Sequence, residues 1–282
     1  MRSVRYILLI FAGFFIFRVS VAQETRLSDL VDLESRIYRL FQYMSGSSTD
    51  REKETINQDI VKLMDEALNN PFSFDYPFDS LKYIGRIRSS DDRLRIYTWN
   101  LPYENGTHRY FGFIQYTPEK NDPPIVYRLT DNSEDIKDPL HAVLNENDWY
   151  GALYYEVIET KDKDDRYYTL LGFDFNNLFS SKKIIDVLYF DQKNKPFFGK
   201  QIFQQDNKLF MRVIFEFSAR VSMSLTYNKD KKMIIYDHLS PSKPSLTGKY
   251  QFYGPDMSYD GLKFEDGIWK LYTDLDVRNP GY

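Results

Sequence analysis

From about Leu81 onward, apolar side chains fall at every second position in short runs, parted by reversals such as Ser90-Asp91-Asp92, Glu104-Asn105-Gly106, Asn228-Lys229-Asp230 and Glu265-Asp266-Gly267. A period of two marks strands with one buried face, and Asn-Gly and Asp-Gly tolerate the positive φ of tight hairpins. Such short reversals join neighbouring strands antiparallel, which argues against a doubly wound βαβ sheet. The pattern predicts strands near 82–88, 93–101, 108–116, 124–129, 151–160, 166–175, 183–190, 197–203, 208–217, 219–228, 232–238, 249–253, 261–265 and 268–274. Between them, Asp138-Pro139 resembles a cap and first residue, predicting a short helix over 138–147.

The longest alternation runs through Met211, Val213, Phe215, Phe217, Ala219, Val221, Met223, Leu225 and Tyr227. Strands usually have five or six residues. The run therefore fits one long strand bent across a sandwich corner, two strands with a bulge near Ser218, or the wall of an outer-membrane barrel. Tyrosine and phenylalanine supply most of a 17% aromatic share, which suits pleated, half-buried surfaces. Doublets such as Trp149-Tyr150, Tyr154-Tyr155 and Tyr167-Tyr168 must send one ring to each face of a strand.

Ahead of the strands the period is helical. Leu27, Leu30, Val31, Ile37, Leu40, Phe41 and Met44 form one apolar stripe, ended by Gly46-Ser47-Ser48. Thr49 and Glu52 have capping-box spacing, and Ile56, Ile60, Leu63, Met64, Ala67 and Leu68 form a second stripe up to Asn69-Asn70-Pro71. The expected class is mainly β (α+β): an N-terminal two-helix hairpin over 23–77, then a large antiparallel β domain over 78–282, sandwich-like or barrel-like.

Residues 1–22 read as a secretory signal peptide. Arg2 and Arg5 precede an apolar run from Tyr6 to Phe17, and Ser20-Val21-Ala22 offers a small-x-small cleavage site. The run is short of the ~20 residues of a membrane span, and no later stretch reaches that length. No cysteine follows to carry a lipid anchor. An exported chain without cysteine fits a bacterial envelope better than an oxidising eukaryotic route. The expected location is the periplasm, with cleavage after Ala22.

The lack of cysteine also excludes disulfides, thiolate nucleophiles and thiolate zinc sites. A net charge of −4 with no basic block argues against nucleic acid as partner. His108, His141 and His238 lie far apart, and no HExxH, P-loop or GxSxG pattern occurs. Two stretches are denser in chemistry than turns require: Tyr236-Asp237-His238-Leu239 and Tyr253-Gly254-Pro255-Asp256-Met257-Ser258-Tyr259-Asp260-Gly261. His238 beside Asp237, Asp256 or Asp260 has the makings of a general base with an orienting acid. Asp256, Asp260, Asp274 and Asp276 offer oxygens to calcium, without EF-hand spacing. Tyr253, Tyr259, Trp149 and Tyr150 are candidates for stacking on a ligand. Turn chemistry is the plainer reading of the acids and glycines. No metal or cofactor is expected.

Taken in order, Trp149-Tyr150-Gly151-Ala152-Leu153-Tyr154-Tyr155, Tyr167-Tyr168-Thr169-Leu170-Leu171-Gly172-Phe173-Asp174, Lys182-Lys183-Ile184-Ile185-Asp186-Val187-Leu188, Phe198-Gly199, Asp237-His238-Leu239 and Tyr253-Gly254-Pro255-Asp256 resemble uncharacterised exported proteins of Bacteroidota. The likeness covers roughly residues 80–279, rests on strand and turn motifs, and brings no activity or site residues. What it implies is location in a Gram-negative envelope. The end from Asp274 to Tyr282 lacks the basic tail of a sorting domain, which favours the periplasm. The expected function is a non-catalytic binding or assembly module with an envelope protein partner. The alternatives are a periplasmic hydrolase of glycans or peptides and, less so, an outer-membrane β-barrel.

Overall fold

The computed structural model describes residues 27–276 apart from 48, 121, 163 and 164. The signal-peptide expectation, over 1–22, lies outside the described residues. The chain divides into two compact units, one ending at Tyr83 and the other starting at Ile84.

The first unit holds two helices, α1 (27–46) and α2 (Asp50–Leu68). Thr49, in extended backbone, accepts the Glu52 amide at 3.3 Å and starts α2. Leu30, Leu33, Ile37, Phe41 and Met44 of α1 are buried, as are Ile60, Val61, Leu63, Met64, Ala67 and Leu68 of α2, whereas Leu27 and Val31 stay exposed. Glu34 is buried among them because Tyr76 and the Ser80 amide both donate to its carboxylate, tying the segment after α2 back onto α1. Among the described residues no helix is long and apolar enough to cross a membrane.

The second unit is built of three sheets. The first is a meander of β1 (Gly85–Arg88), β2 (Leu94–Pro102), β3 (His108–Tyr116) and β4 (Ile125–Thr130). The middle sheet has the order β5 (Leu144–Asn145), β9 (Pro196–Phe198), β8 (Ser180–Phe190), β7 (Asp165–Asp174), β6 (Leu153–Asp162). In addition, β12 (Val213–Ser218) pairs with the start of β8. The third sheet has the order β11 (Lys208–Phe210), β10 (Phe203–Gln205), β16 (Ile268–Tyr272), β15 (Tyr253–Glu265), β14 (Met233–Pro241), β13 (Leu225–Asn228). Its β10–β16 pair is parallel, and the other strand pairs of the three sheets are antiparallel.

Two hydrophobic cores make this a three-layer, sandwich-like stack. One joins the first sheet (Leu94, Ile96, Ile114) to the middle sheet (Tyr168, Leu170, Ile184). The other joins the opposite face of the middle sheet (Tyr167, Leu171, Ile185) to the third (Leu225, Ile234, Trp269). The middle sheet is thus buried on both faces, and consecutive residues of β7 and β8 enter different cores. Tyr167 and Tyr168 separate this way, each almost fully buried. Trp269 donates its indole N–H to Thr169 of β7 at 3.1 Å, a polar tie between two layers.

Three expectations change. First, 138–147 is not a helix: it holds turns and the two-residue β5. Its carbonyls are taken elsewhere, Pro139 and Ala142 by the Arg212 guanidinium and Leu140 by the Met211 amide. Arg212 and Asp186 form a fully buried pair at 3.1 Å that fixes this arrangement. Second, the 211–227 alternation breaks after Ser218 and crosses between layers, with β12 in the middle sheet and β13 in the third. Among the described residues no sheet closes into a barrel. Third, 249–265 is not two strands parted by a turn. A single strand, β15, follows a short 3₁₀ turn, and the turn formers make a bulge inside it.

Candidate functional site

The two stretches rich in acids and tyrosine are neighbours: they are β14 and β15, paired antiparallel. Asp237 lies opposite Tyr259 and Leu239 opposite Pro255, so His238 alone faces three residues, Asp256 to Ser258. Asp256 makes the bulge by accepting both the Ser258 amide at 3.1 Å and the Ser258 hydroxyl at 2.7 Å. Met257 sits at its apex with φ 74 and is 93% exposed.

The bulge gathers His238, Asp256 and Asp260. Asp260 is buried, and its Oδ2 lies 2.8 Å from His238 Nδ1 while Oδ1 accepts the Asp274 amide at 3.2 Å. A carboxylate only accepts, so Nδ1 carries the proton and Nε2 is the titrating atom, 3.9 Å from Asp256 Oδ2. The Asp260 hydrogen bond raises the His238 pKa against an opposing effect of burial, and the Asp256 charge adds to the rise. The Ser258 hydroxyl bond holds the Asp256 carboxyl below the ordinary carboxylate range. The orientation of Nδ1 suits a general base, but two acids favour the imidazolium and leave less neutral Nε2 at pH 7. Behind the histidine is a small cavity of about 180 Å³, walled by Phe203, Phe215, Leu262 and Leu271.

The same ribbon borders a wider groove of about 670 Å³, where Tyr253, Gly254 and Pro255 of β15 and Pro241 of β14 meet Leu178, Phe179, Val221 and Phe252. Leu178 and Phe179 are each 67% exposed. They stand at the tip of the turn before β8 because Asn177 accepts the Phe179 and Ser180 amides at 2.8 and 3.1 Å, and Phe179 O accepts the Ala219 amide at 2.9 Å. Large apolar side chains are held out here by a polar turn, beside further apolar surface, which makes the groove a candidate binding site. Arg220 is the one charged residue among the lining residues described.

The other candidates are placed as follows. Asp237 lies outside the cluster and accepts the Ser224 amide at 2.7 Å, tying it to the turn before β13. Tyr253 lines the groove, with its hydroxyl accepting the Gly248 amide at 2.9 Å. Tyr259 is half-buried, and its carbonyl accepts the Leu275 amide. Trp149 is fully buried and donates to Tyr154 Oη at 3.0 Å, so its ring is core and not a stacking surface. Tyr150 is buried in the same core, its hydroxyl 3.3 Å from Lys182 Nζ. His141 pairs with Asp138 at 3.0 Å on the surface. Of the four aspartates considered for calcium, Asp260 has both oxygens engaged, and among the described residues no group of three His, Asp or Glu side chains is placed to hold a metal. Sequence reasoning missed Leu178, Phe179 and Val221. The available signal was an apolar pair set between Asn176-Asn177 and Ser180-Ser181.

No protein-family model, curated protein or solved structure matches this chain.

Proposed function

We propose that this chain is an exported, periplasmic protein of the bacterial envelope that acts by binding, taking an apolar segment of a partner protein into the groove around Phe179. The observation that carries the reading is the exposure of Leu178 and Phe179 beside Val221, Phe252 and Pro255, a contiguous apolar surface on a rigid β scaffold. The single cation in the lining, Arg220, favours an occupant that carries a carboxylate beside its apolar residues. The export reading rests on the n-region, apolar run and cleavage pattern of residues 1–22.

Affinity-tagged wild-type protein and the Phe179→Asp and His238→Ala variants, purified from the envelope fraction, test it. The partner is expected with wild type and His238→Ala and lost with Phe179→Asp. Equal recovery with all three would overturn the groove as the docking site.

One observation favours a hydrolase as the second reading: the 2.8 Å Asp260–His238 contact, which fixes the histidine tautomer as a base requires. On that reading, turnover of glycan or peptide substrates disappears in His238→Ala while the thermal transition persists.

A further inference from the structure

A second cavity, of about 570 Å³, opens at one end of the first core, between the start of β3, the 131–135 turn and the turn joining β7 to β8. It shares no residue with the groove. Every side chain lining it carries a hydrogen-bonding group, so a wholly apolar ligand would leave these groups unpaired.

Its floor is fixed in advance. Asp174, only 6% exposed, accepts the Tyr110 hydroxyl at 2.8 Å and the Asn176 amide at 2.6 Å, and Lys182 Nζ lies 3.7 Å from its other oxygen. Burial raises the Asp174 pKa, with Lys182 and Tyr110 opposing. Burial also works against the Lys182 cation, but Tyr150, Asp174 and Glu216 outweigh it and keep the amine protonated. Asp131 accepts the Tyr110 amide at 2.8 Å and both the amide and the hydroxyl of Ser133. Gly151 makes room for it, since a Cβ there would lie 2.5 Å from the Asp131 carboxyl carbon. On the wall, the His108 ring stacks on Phe175 at 4.8 Å, and burial lowers its pKa, so it is a neutral flat surface at pH 7.

Charge and geometry then narrow the ligand. Asp131, Glu134, Asp135 and Asp174 outnumber Arg109 and Lys182, which disfavours an anion. Lys182 already holds the place beside Asp174 that a ligand ammonium would take. Among the described residues no three metal-ligating side chains converge. The ligand that best fits this mixed lining is a neutral molecule bearing many hydroxyls. Such groups act as donor and acceptor at once, and so match a wall of amides, carboxylates, phenols, a guanidinium and an ammonium.

We infer that this cavity binds a neutral sugar, with hydroxyls held by Tyr150, Lys182, the Asn176–Asn177 turn and the rim carboxylate of Glu134, and a C–H face against the His108 ring. The size suits one or two sugar residues. The site shares the turn between β7 and β8 with the groove but no lining side chain: Asn176 and Asn177 face the cavity, Leu178 and Phe179 the groove.

Calorimetric titration of the full-length exported protein with neutral probes (glucose, galactose, mannose, N-acetylglucosamine and their β1,4-linked dimers) tests the inference, with ethanolamine and inorganic phosphate as charged probes. Saturable binding of at least one sugar is expected. It should weaken about tenfold in Tyr150→Phe, which removes only a hydroxyl, and also in Glu134→Ala, which changes an exposed rim residue. Phe179→Asp in the groove should leave it unchanged. The inference is overturned by saturable binding of ethanolamine or phosphate but no sugar, by no saturable sugar binding up to about 50 mM, weaker than any useful site, or by sugar affinity that both cavity variants leave intact.

Discussion

Asp260 gives one oxygen to His238 and the other to the Asp274 amide, at the point where β14 and β15 lose their regular pairing. A histidine whose pKa is raised on folding stabilises the fold fully below its unfolded value, about 6.5, and loses that contribution as pH rises through the folded value. Denaturant midpoints of wild type and His238→Gln should therefore differ most near pH 6 and converge by about pH 9. A gap that widens with pH would mean that the imidazolium is not what Asp260 and Asp256 hold. The local chemistry of this cluster was legible, since its residues sit within two short stretches. Arg212 was not: it acts on the Pro139 carbonyl 73 residues earlier, and nothing near Asp138-Pro139 signals that the helical hydrogen bonds will be diverted.

At the scale of elements, hairpins were readable from their turn residues, and β3 lies where the alternation placed it, at His108–Tyr116. Both faces of β7 are buried, so its apolar residues run consecutively and the two-residue period disappears. Alternation in 211–227 does not say which layer a strand joins, and it fails where the chain crosses from β12 to β13: Ala219 and Val221 are exposed there, and Arg212 is fully buried. The double burial has a measurable consequence. Leu170 and Leu171 are both fully buried but belong to different cores. Leu170→Ala and Leu171→Ala should each cost about 2–5 kcal/mol in urea unfolding, since each empties a different core. If either substitution were neutral, one face of the middle sheet would be solvated and the three-layer arrangement would be wrong.

For the β unit as a whole, topology assembles what sequence proximity cannot. The groove draws on the turn before β8, the 218–221 turn after β12, the end of β14 and the start of β15. The polar cavity likewise combines β3, the 131–135 turn, Tyr150 and Lys182. Neither grouping has a linear signature, whereas both cores follow from apolar positions that the sequence displays openly. The groove is where the binding reading stands or falls. A photoreactive amino acid placed at position 179 in the native host, with the same label at the exposed position Lys229 as control, tests it directly. One dominant crosslinked protein is expected from position 179 alone, attached through an apolar segment bearing Asp or Glu. Diffuse crosslinks, or the same products from both positions, would contradict it.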